Sequence, residues 1–445
     1  MCTWRCAPQR VLPVVSLPAA DPVRVFCVVT SLRYLPHSYS MPPEIRTVRI
    51  TRGPRVLPQA MAALPDANAR LRRSIFGQLF TAMHAWPDSS LRRSYVGINH
   101  DGQKRAFAVD LLGEGADDNG GPYRAIFENV VRELQTDSLP LPDGHPCLLP
   151  FFIPCPNRSG GTHTAGSSDG FVMNPGPNAR SASALSFYQF LGKLVGIAVR
   201  HGLQLGLQLS PLVWRVVAGL PLGVEDLLQV DARAPAPGRS GNPPAGAETV
   251  AASDGSTCLT LPDDVAGPSL AHRAALARLR ESEPQLAAFR SGIASVVPVE
   301  LLGLMREGEV EELVCGIPDV RVQVLQAIAN CDRDAPHVKW LWEVLEEATP
   351  EERSEFLQFV WARSRLPATA AMVATPFRID KAAFVPEGKD PDAFLPKAST
   401  CFFTLNLPAY SSKEVLRQRL FFAMKHSPNM DADVVLHSAE GWADM

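Results

Sequence analysis

Residues 184–201 offer a helix with almost no polar face. Its apolar side chains nearly encircle it, and a helix that is apolar all round has to be enclosed by other elements. Gly192 and Gly196 stand one turn apart and let a neighbouring backbone come close. No apolar run reaches the roughly 18 residues of a membrane crossing, so this helix is expected at the centre of a folded core. A chain of 445 residues has the material for that enclosure, and its length suggests two to three domains.

The elements around this helix follow from period and punctuation. A helix is expected from Ala67, with Leu71, Ile75, Leu79 and Phe80 on one face. Residues 107–112 read as a strand, and the turn over 113–122 leads into a helix over 123–134. A short apolar run at 148–153 is closed by Pro154. Helical pattern resumes over 269–293 and again over 301–314. Cys315-Gly316-Ile317-Pro318 then breaks it, which places a hinge at 317–318. Helices are expected next over 320–329, 338–347 and 350–363. The last starts on Thr349 as N-cap, Pro350 in the first turn and Glu352 in the capping-box position. Short strands at 377–379 and 402–405 precede a final helix from Ser411 or Ser412 that carries Val415, Leu416, Leu420 and Met424. Helices around short strands, split by one hinge, give an α+β chain of two lobes, 66–316 and 319–430.

Three stretches fall outside this pattern. Residues 1–65 are Pro-rich and expected to be poorly ordered, with 23–29 a candidate strand. Residues 232–268 alternate Pro, Gly, Ala and Ser with few large apolar side chains and read as flexible. Residues 431–445 read as a mobile tail.

Composition excludes several functions. The net charge of -3 gives no footprint for nucleic acid or an anionic membrane surface. Pro8, Pro13 and Pro18 interrupt the apolar start, so a signal peptide is not expected. Nine scattered cysteines form no disulfide framework. They point to reduced thiols in the cytoplasm, with the nucleus as a second location. Cys147 and Cys155 lack the spacing of a zinc site, the ten histidines show no ligand pattern, and neither a metal nor a cofactor is expected. The glycine-acidic turn after residue 112 matches no phosphate- or calcium-binding spacing.

Taken alone, a cysteine reads as a buried structural thiol. Cys401 differs through its flanks: Leu395-Pro396-Lys397-Ala398-Ser399-Thr400-Cys401-Phe402-Phe403, followed by Leu407-Pro408-Ala409-Tyr410-Ser411-Ser412. This block resembles the active-site region of HECT-type E3 ubiquitin ligases. Five further blocks resemble the family in its order. They are the turn Leu112-Gly113-Glu114-Gly115-Ala116-Asp117-Asp118, then Phe171-Val172-Met173-Asn174-Pro175, then Phe190-Leu191-Gly192-Lys193-Leu194-Val195-Gly196. Glu311-Glu312-Leu313-Val314-Cys315-Gly316 and the stretch from Glu355 to Trp361 with Ser364-Arg365-Leu366-Pro367 complete the set. The double phenylalanine after Cys401 and Ser295-Val296-Val297-Pro298-Val299 are most similar to the large HERC branch, in which RCC1-like repeats precede this region.

The resemblance implies a mainly helical N-lobe and a smaller C-lobe. It implies a ubiquitin transferase that takes ubiquitin from an E2 enzyme onto Cys401 as a thioester and hands it to a lysine of a protein substrate. Thr400, Phe402 and Arg365 are the expected supporting residues. Trp442 stands fourth from the end, where many members carry a tail phenylalanine that docks on the N-lobe. Asp431 and Asp433 are candidates for receiving the lysine proton. The E2 is expected to dock at 232–285, where the aromatic groove of the family is poorly matched. A non-catalytic interaction module with decayed E2 binding is therefore the alternative reading.

Overall fold

The computed structural model describes residues 22–33, 45–95, 104–113, 121–158, 170–236, 247–261, 269–317, 319–367, 373 and 376–426. Its centre is the helix Ala182–His201, opened by the Ser181 hydroxyl on the Ala184 amide at 3.2 Å and closed by left-handed Gly202. The helix Glu283–Ala294 lies against it, backbone to backbone. A Cβ on Gly192 would stand 2.0 Å from the Phe289 carbonyl oxygen, and one on Gly292 would stand 1.9 Å from that of Gln189. Around the contact, Phe76 meets Phe151 and Phe190, and Phe80 meets Phe187, with ring centroids 5.1, 5.7 and 4.2 Å apart. By length and composition the central helix is apolar enough to cross a membrane. Here its residues from Phe190 to His201, Lys193 apart, are buried within the protein, as the all-round apolar pattern requires.

The single helix expected from Ala67 is two, Ala67–Arg73 and Ile75–Met83. Ser74 makes the corner: its hydroxyl donates to the Leu71 carbonyl at 2.7 Å and accepts from the Gly77 amide at 2.9 Å. The helix Gly121–Gln135 supplies the other partner. The Glu133 carboxylate accepts the Ile75 and Phe76 amides at 2.8 and 3.0 Å, the first free donors of the new helix. Burial pushes this carboxyl up to about 7, against the pull of those two amides. The folded chain then holds a proton that the unfolded chain has lost above the ordinary value of 4.5. Its stabilising share is present below that value and is lost as pH rises toward about 7. Across this window the unfolding free energy of the wild type, read from denaturant curves, should fall more steeply than that of Glu133→Gln, by about 1–3 kcal/mol in total. Parallel pH profiles of the two proteins would contradict this assignment.

Two stretches expected to carry little structure are built into the same core. Residues Pro22–Arg33 form a helix, not a strand, and bury Val28, Val29 and Leu32. The β-branched run suggested a strand, but packing of one helical face against the core overrides that local preference. Thr47–Thr51 pairs in parallel with Ala108–Leu112, so the expected strand at 107–112 gains an upstream partner.

The described residues of 224–279 form a small unit, and 247–261, inside the stretch expected to be flexible, carries a hairpin because Leu259 and Leu261 find a packed surface. The hairpin of Thr249–Ala251 and Cys258–Thr260 packs on the helix Leu270–Leu279, and the helix Val224–Val230 closes the other side. Its core is built from small side chains, chiefly Ala252, Ala274, Ala275 and Ala277, with Leu259, Leu261 and Leu227. Arg278 holds the unit together, paired with Asp231 and Glu281 at 2.9 Å each.

The larger hydrophobic core ends at Cys315, and a second one runs from Val320 to Met424. The second core lies on a four-stranded sheet in the order Ala329–Cys331, Phe377–Lys381, Thr404–Leu407, Lys397–Ser399. The first three strands are parallel and the fourth is antiparallel to its neighbour. Pro336–Glu347, Pro350–Trp361 and Lys413–His426 pack beside it. Thr349 makes the expected reciprocal cap with Glu352. Small mixed sheets within a mainly helical chain make this the α+β fold anticipated from the sequence. The lobes meet where Ile317 and Leu366 exchange backbone hydrogen bonds of 2.7 and 3.3 Å.

Candidate active site

Cys401 occupies the middle of a single 3-10 turn, Thr400–Phe402, between the antiparallel strand Lys397–Ser399 and the parallel strand Thr404–Leu407. The turn reverses the chain in few residues, and Phe403 completes it in the left-handed region at φ 49°. For a residue with a bulky side chain that conformation costs about 1–2 kcal/mol. Stacking offsets it. The Phe403 ring lies on Trp361 at 4.2 Å and 6°, and on Phe377 at 4.7 Å and 26°. The other face of Trp361 is covered by the Arg363 guanidinium at 4.0 Å. Between Trp361 and Arg363, Ala362 is also left-handed at φ 53°, which ends the helix and turns Arg363 back over the ring.

Arg363 connects this column to the larger lobe. One of its nitrogens donates to Gln204 Oε1 at 2.5 Å and to the Gly202 carbonyl at 3.1 Å. The Ser364 amide and hydroxyl both reach Glu128 Oε1 at 3.3 Å. Burial pushes the Glu128 carboxyl up, against the lowering effects of Ser364, Arg132 and Arg365. At the turn itself, Arg124 Nη2 donates to the Thr400 carbonyl at 2.5 Å. The residue before Cys401 is thereby bonded to the helix Gly121–Gln135 of the larger lobe.

The residues expected to support Cys401 separate into two places. Thr400 and Phe402 flank it in the turn, the first buried and the second 47% exposed. Arg365 sits at the seam between the lobes, beside Gly206, and its charge acts on Glu311, Glu128 and Cys315. Trp442, Asp431 and Asp433 lie outside the described residues. Sequence reading missed Arg124, Glu128 and the Trp361–Phe403 stack. The one available signal was Arg124 itself, set among the apolar residues Tyr123, Ile126 and Phe127 on a helix face that had to be buried.

Burial holds the thiols of Cys147, Cys315 and Cys331 above the ordinary range and so disfavours their thiolates. Burial pushes Cys147 up to about 12 and raises Cys315 further, and the Cys315 thiol donates to the Leu207 carbonyl at 3.1 Å. Among the described residues no cluster of histidine, cysteine and carboxylate side chains could hold a metal ion.

A model of the HECT-domain (ubiquitin-transferase) family matches residues 149–236 and 271–433, which span both lobes and include Cys401. The chain belongs to the HECT-domain family. This HECT domain is 35% identical over 385 residues to the E3 ubiquitin-protein ligase HERC2 of Mus musculus, a match covering 81% of this chain and 7% of that protein. The match to HERC2 of Homo sapiens has the same identity and coverage. E3 ubiquitin-protein ligase HACE1 of Bos taurus is 26% identical over 292 residues, 58% of this chain and 31% of the relative. The likeness to the large HERC branch read from the Cys401 block is thus found across most of the chain, which spans only a small part of those relatives' length. The family match leaves out 237–270, where the Pro/Gly/Ala-rich stretch stands in this HECT domain.

Proposed function

We propose that this HECT domain is an E3 ubiquitin transferase in which Cys401 carries ubiquitin as a thioester. The observation that supports it best is the placing of Cys401 in a sharp turn whose two flanks are fixed, Thr400 by a bond from the larger lobe and Phe403 by an aromatic column. Ubiquitin arrives as a thioester on an E2 cysteine. The Cys401 thiolate attacks that carbonyl, a new C–S bond forms, and the E2 thiolate leaves. Exchange between thioesters is nearly isoenergetic, so a thiolate suffices without a dedicated strong base. In the second step a substrate lysine amine attacks, the C–N bond forms, the C–S bond breaks, and the amine proton passes to a neighbouring base. Residues 66–316 serve as the N-lobe, 319–430 as the C-lobe and 232–285 as the E2-docking unit, with rotation about 317–318 bringing Cys401 first to the E2 and then to the substrate. The chemistry operates in a reducing compartment, the cytoplasm or nucleus, where the thiol stays free.

The test supplies E1, a panel of E2 enzymes, ATP and ubiquitin and reads adducts on non-reducing gels. A thiol-sensitive adduct is expected on the wild type, none on Cys401→Ala, and a thiol-resistant ester on Cys401→Ser. Absence of any adduct across the panel, or a thiol-sensitive adduct on Cys401→Ala, would sink the proposal. The first of these results would favour the non-catalytic interaction module.

A further inference from the structure

We propose that Arg124 is a positioning residue for the second half of this reaction: it fixes the Cys401 turn on the larger lobe in the arrangement from which ubiquitin passes to lysine. The proposal rests on the thioester role of Cys401 and adds to it a part played from the other lobe. Arg124 is 276 positions away from Thr400 in sequence and 4% exposed, yet its guanidinium bonds the carbonyl of the peptide that leads into Cys401. A buried guanidinium has a high desolvation cost, so it is kept where its acceptors are fixed. The same helix of the larger lobe presents Glu128 to Ser364, four residues along and on the same face. One helical face thus holds both the nucleophile turn and the turn after Trp361. The segment 202–206 adds the contacts to Arg363 and Arg365.

These bonds tie Cys401 to the body of the larger lobe, through the helix Gly121–Gln135 and the segment after the central helix. They are made by parts of the lobe other than the 232–285 unit proposed to receive the E2. The arrangement therefore suits the step after the E2 has left, when the acyl group must be held still for an incoming amine. A turn of three residues has few bonds of its own to fix it. Immobilising the carbonyl next to the nucleophile limits the orientations of the thioester, the kind of restraint on which proximity effects depend. A hydrogen bond from a charged donor is worth about tenfold in an equilibrium that it biases.

The experiment uses the full chain and separates the two half-reactions. Cys401 is charged in a single turnover from E2-bound ubiquitin, the E2 is quenched, and discharge to free lysine is followed. Arg124→Met keeps the aliphatic stem and removes the donor. Discharge should slow by about tenfold while charging changes by less than about twofold. Arg124→Lys should recover part of the loss and carries the test should Arg124→Met fail to fold. Hydrogen exchange of the amides of 399–404 should rise in either variant, with the sheet neighbours 377–381 unchanged. Discharge at the wild-type rate, equal losses in both half-reactions, or unchanged exchange at 399–404 would each overturn the proposal. A wild type that takes no ubiquitin onto Cys401 defeats the parent reading, and the exchange measurement still decides whether Arg124 holds the turn.

Discussion

Gly192→Ala should destabilise this protein by about 3 kcal/mol or more, a large part of the roughly 5–15 kcal/mol that holds a domain folded. The reason lies in what the new methyl group meets. It would stand 2.0 Å from the Phe289 carbonyl oxygen, 2.9 Å from the Ile293 nitrogen and 3.0 Å from the Gly292 Cα. All three are backbone atoms of the facing helix, so no side chain can turn away to make room. The helices must separate, and Tyr188, Phe190 and Leu194 around the contact lose their packing with them. Gly308 is the control. It also lies in a helix, Glu307–Cys315, but nothing stands within 4 Å of its Cβ position. There Ala should be neutral or stabilising by about 0.5 kcal/mol, because only the unfolded chain loses freedom. Urea midpoints of the two variants decide the matter, and a Gly192→Ala protein as stable as Gly308→Ala would refute the backbone contact.

This central helix was the most legible part of the chain because its signal is periodic and long. Apolar residues on every side left one solution, and the glycines marked the face where a backbone approaches. Boundaries set by one residue were less legible. Ser74 splits an apparently continuous helix, since a serine hydroxyl can cap as well as face solvent, and only the Glu133 carboxylate on another helix makes the corner worth forming. Residues 22–33 misled for a related reason: β-branched side chains favour strands locally, and burial of Val28, Val29 and Leu32 outweighs that preference.

At the candidate site, Cys401 could be proposed because its neighbours in sequence resemble a family block. The groups around it could not, because they come from two places distant in the chain, the helix Gly121–Gln135 and the end of the helix Pro350–Trp361. Arg124 lies 276 positions upstream of Thr400. Trp361 and Arg363 come from the end of a helix whose periodicity explains its inward face but not what its last turn covers. The 237–270 gap in the family match coincides with a low-complexity stretch, and the described core of that unit is built largely on alanines, which give little periodic contrast.

Trp361→Ala should have the largest effect on the Cys401 turn of any substitution outside it. Trp361 is 4% exposed and is clasped between the Arg363 guanidinium at 4.0 Å and the Phe403 ring at 4.2 Å. Removing a buried indole costs about 3–5 kcal/mol in lost contacts and cavity. The local consequence is greater than that figure suggests, because Phe403 stays in the left-handed region only while its ring has a surface to lie on. Without Trp361, the about 1–2 kcal/mol of strain at Phe403 favours relaxation of the backbone two residues after Cys401. Arg363 loses the ring beneath it, and with that the alignment that brings it to Gln204 and Gly202. The smaller lobe should therefore unfold at a lower denaturant concentration, and thioester formation at Cys401 should fall at least about tenfold under conditions where the lobe is still folded. Trp361→Phe separates the two causes. It keeps a flat ring between Arg363 and Phe403 while giving up part of the volume, so charging should stay within about threefold of wild type although stability still drops. If Trp361→Ala charges as fast as the wild type, the column does not hold the turn, and the strain at Phe403 must be offset by its contact with Phe377 alone.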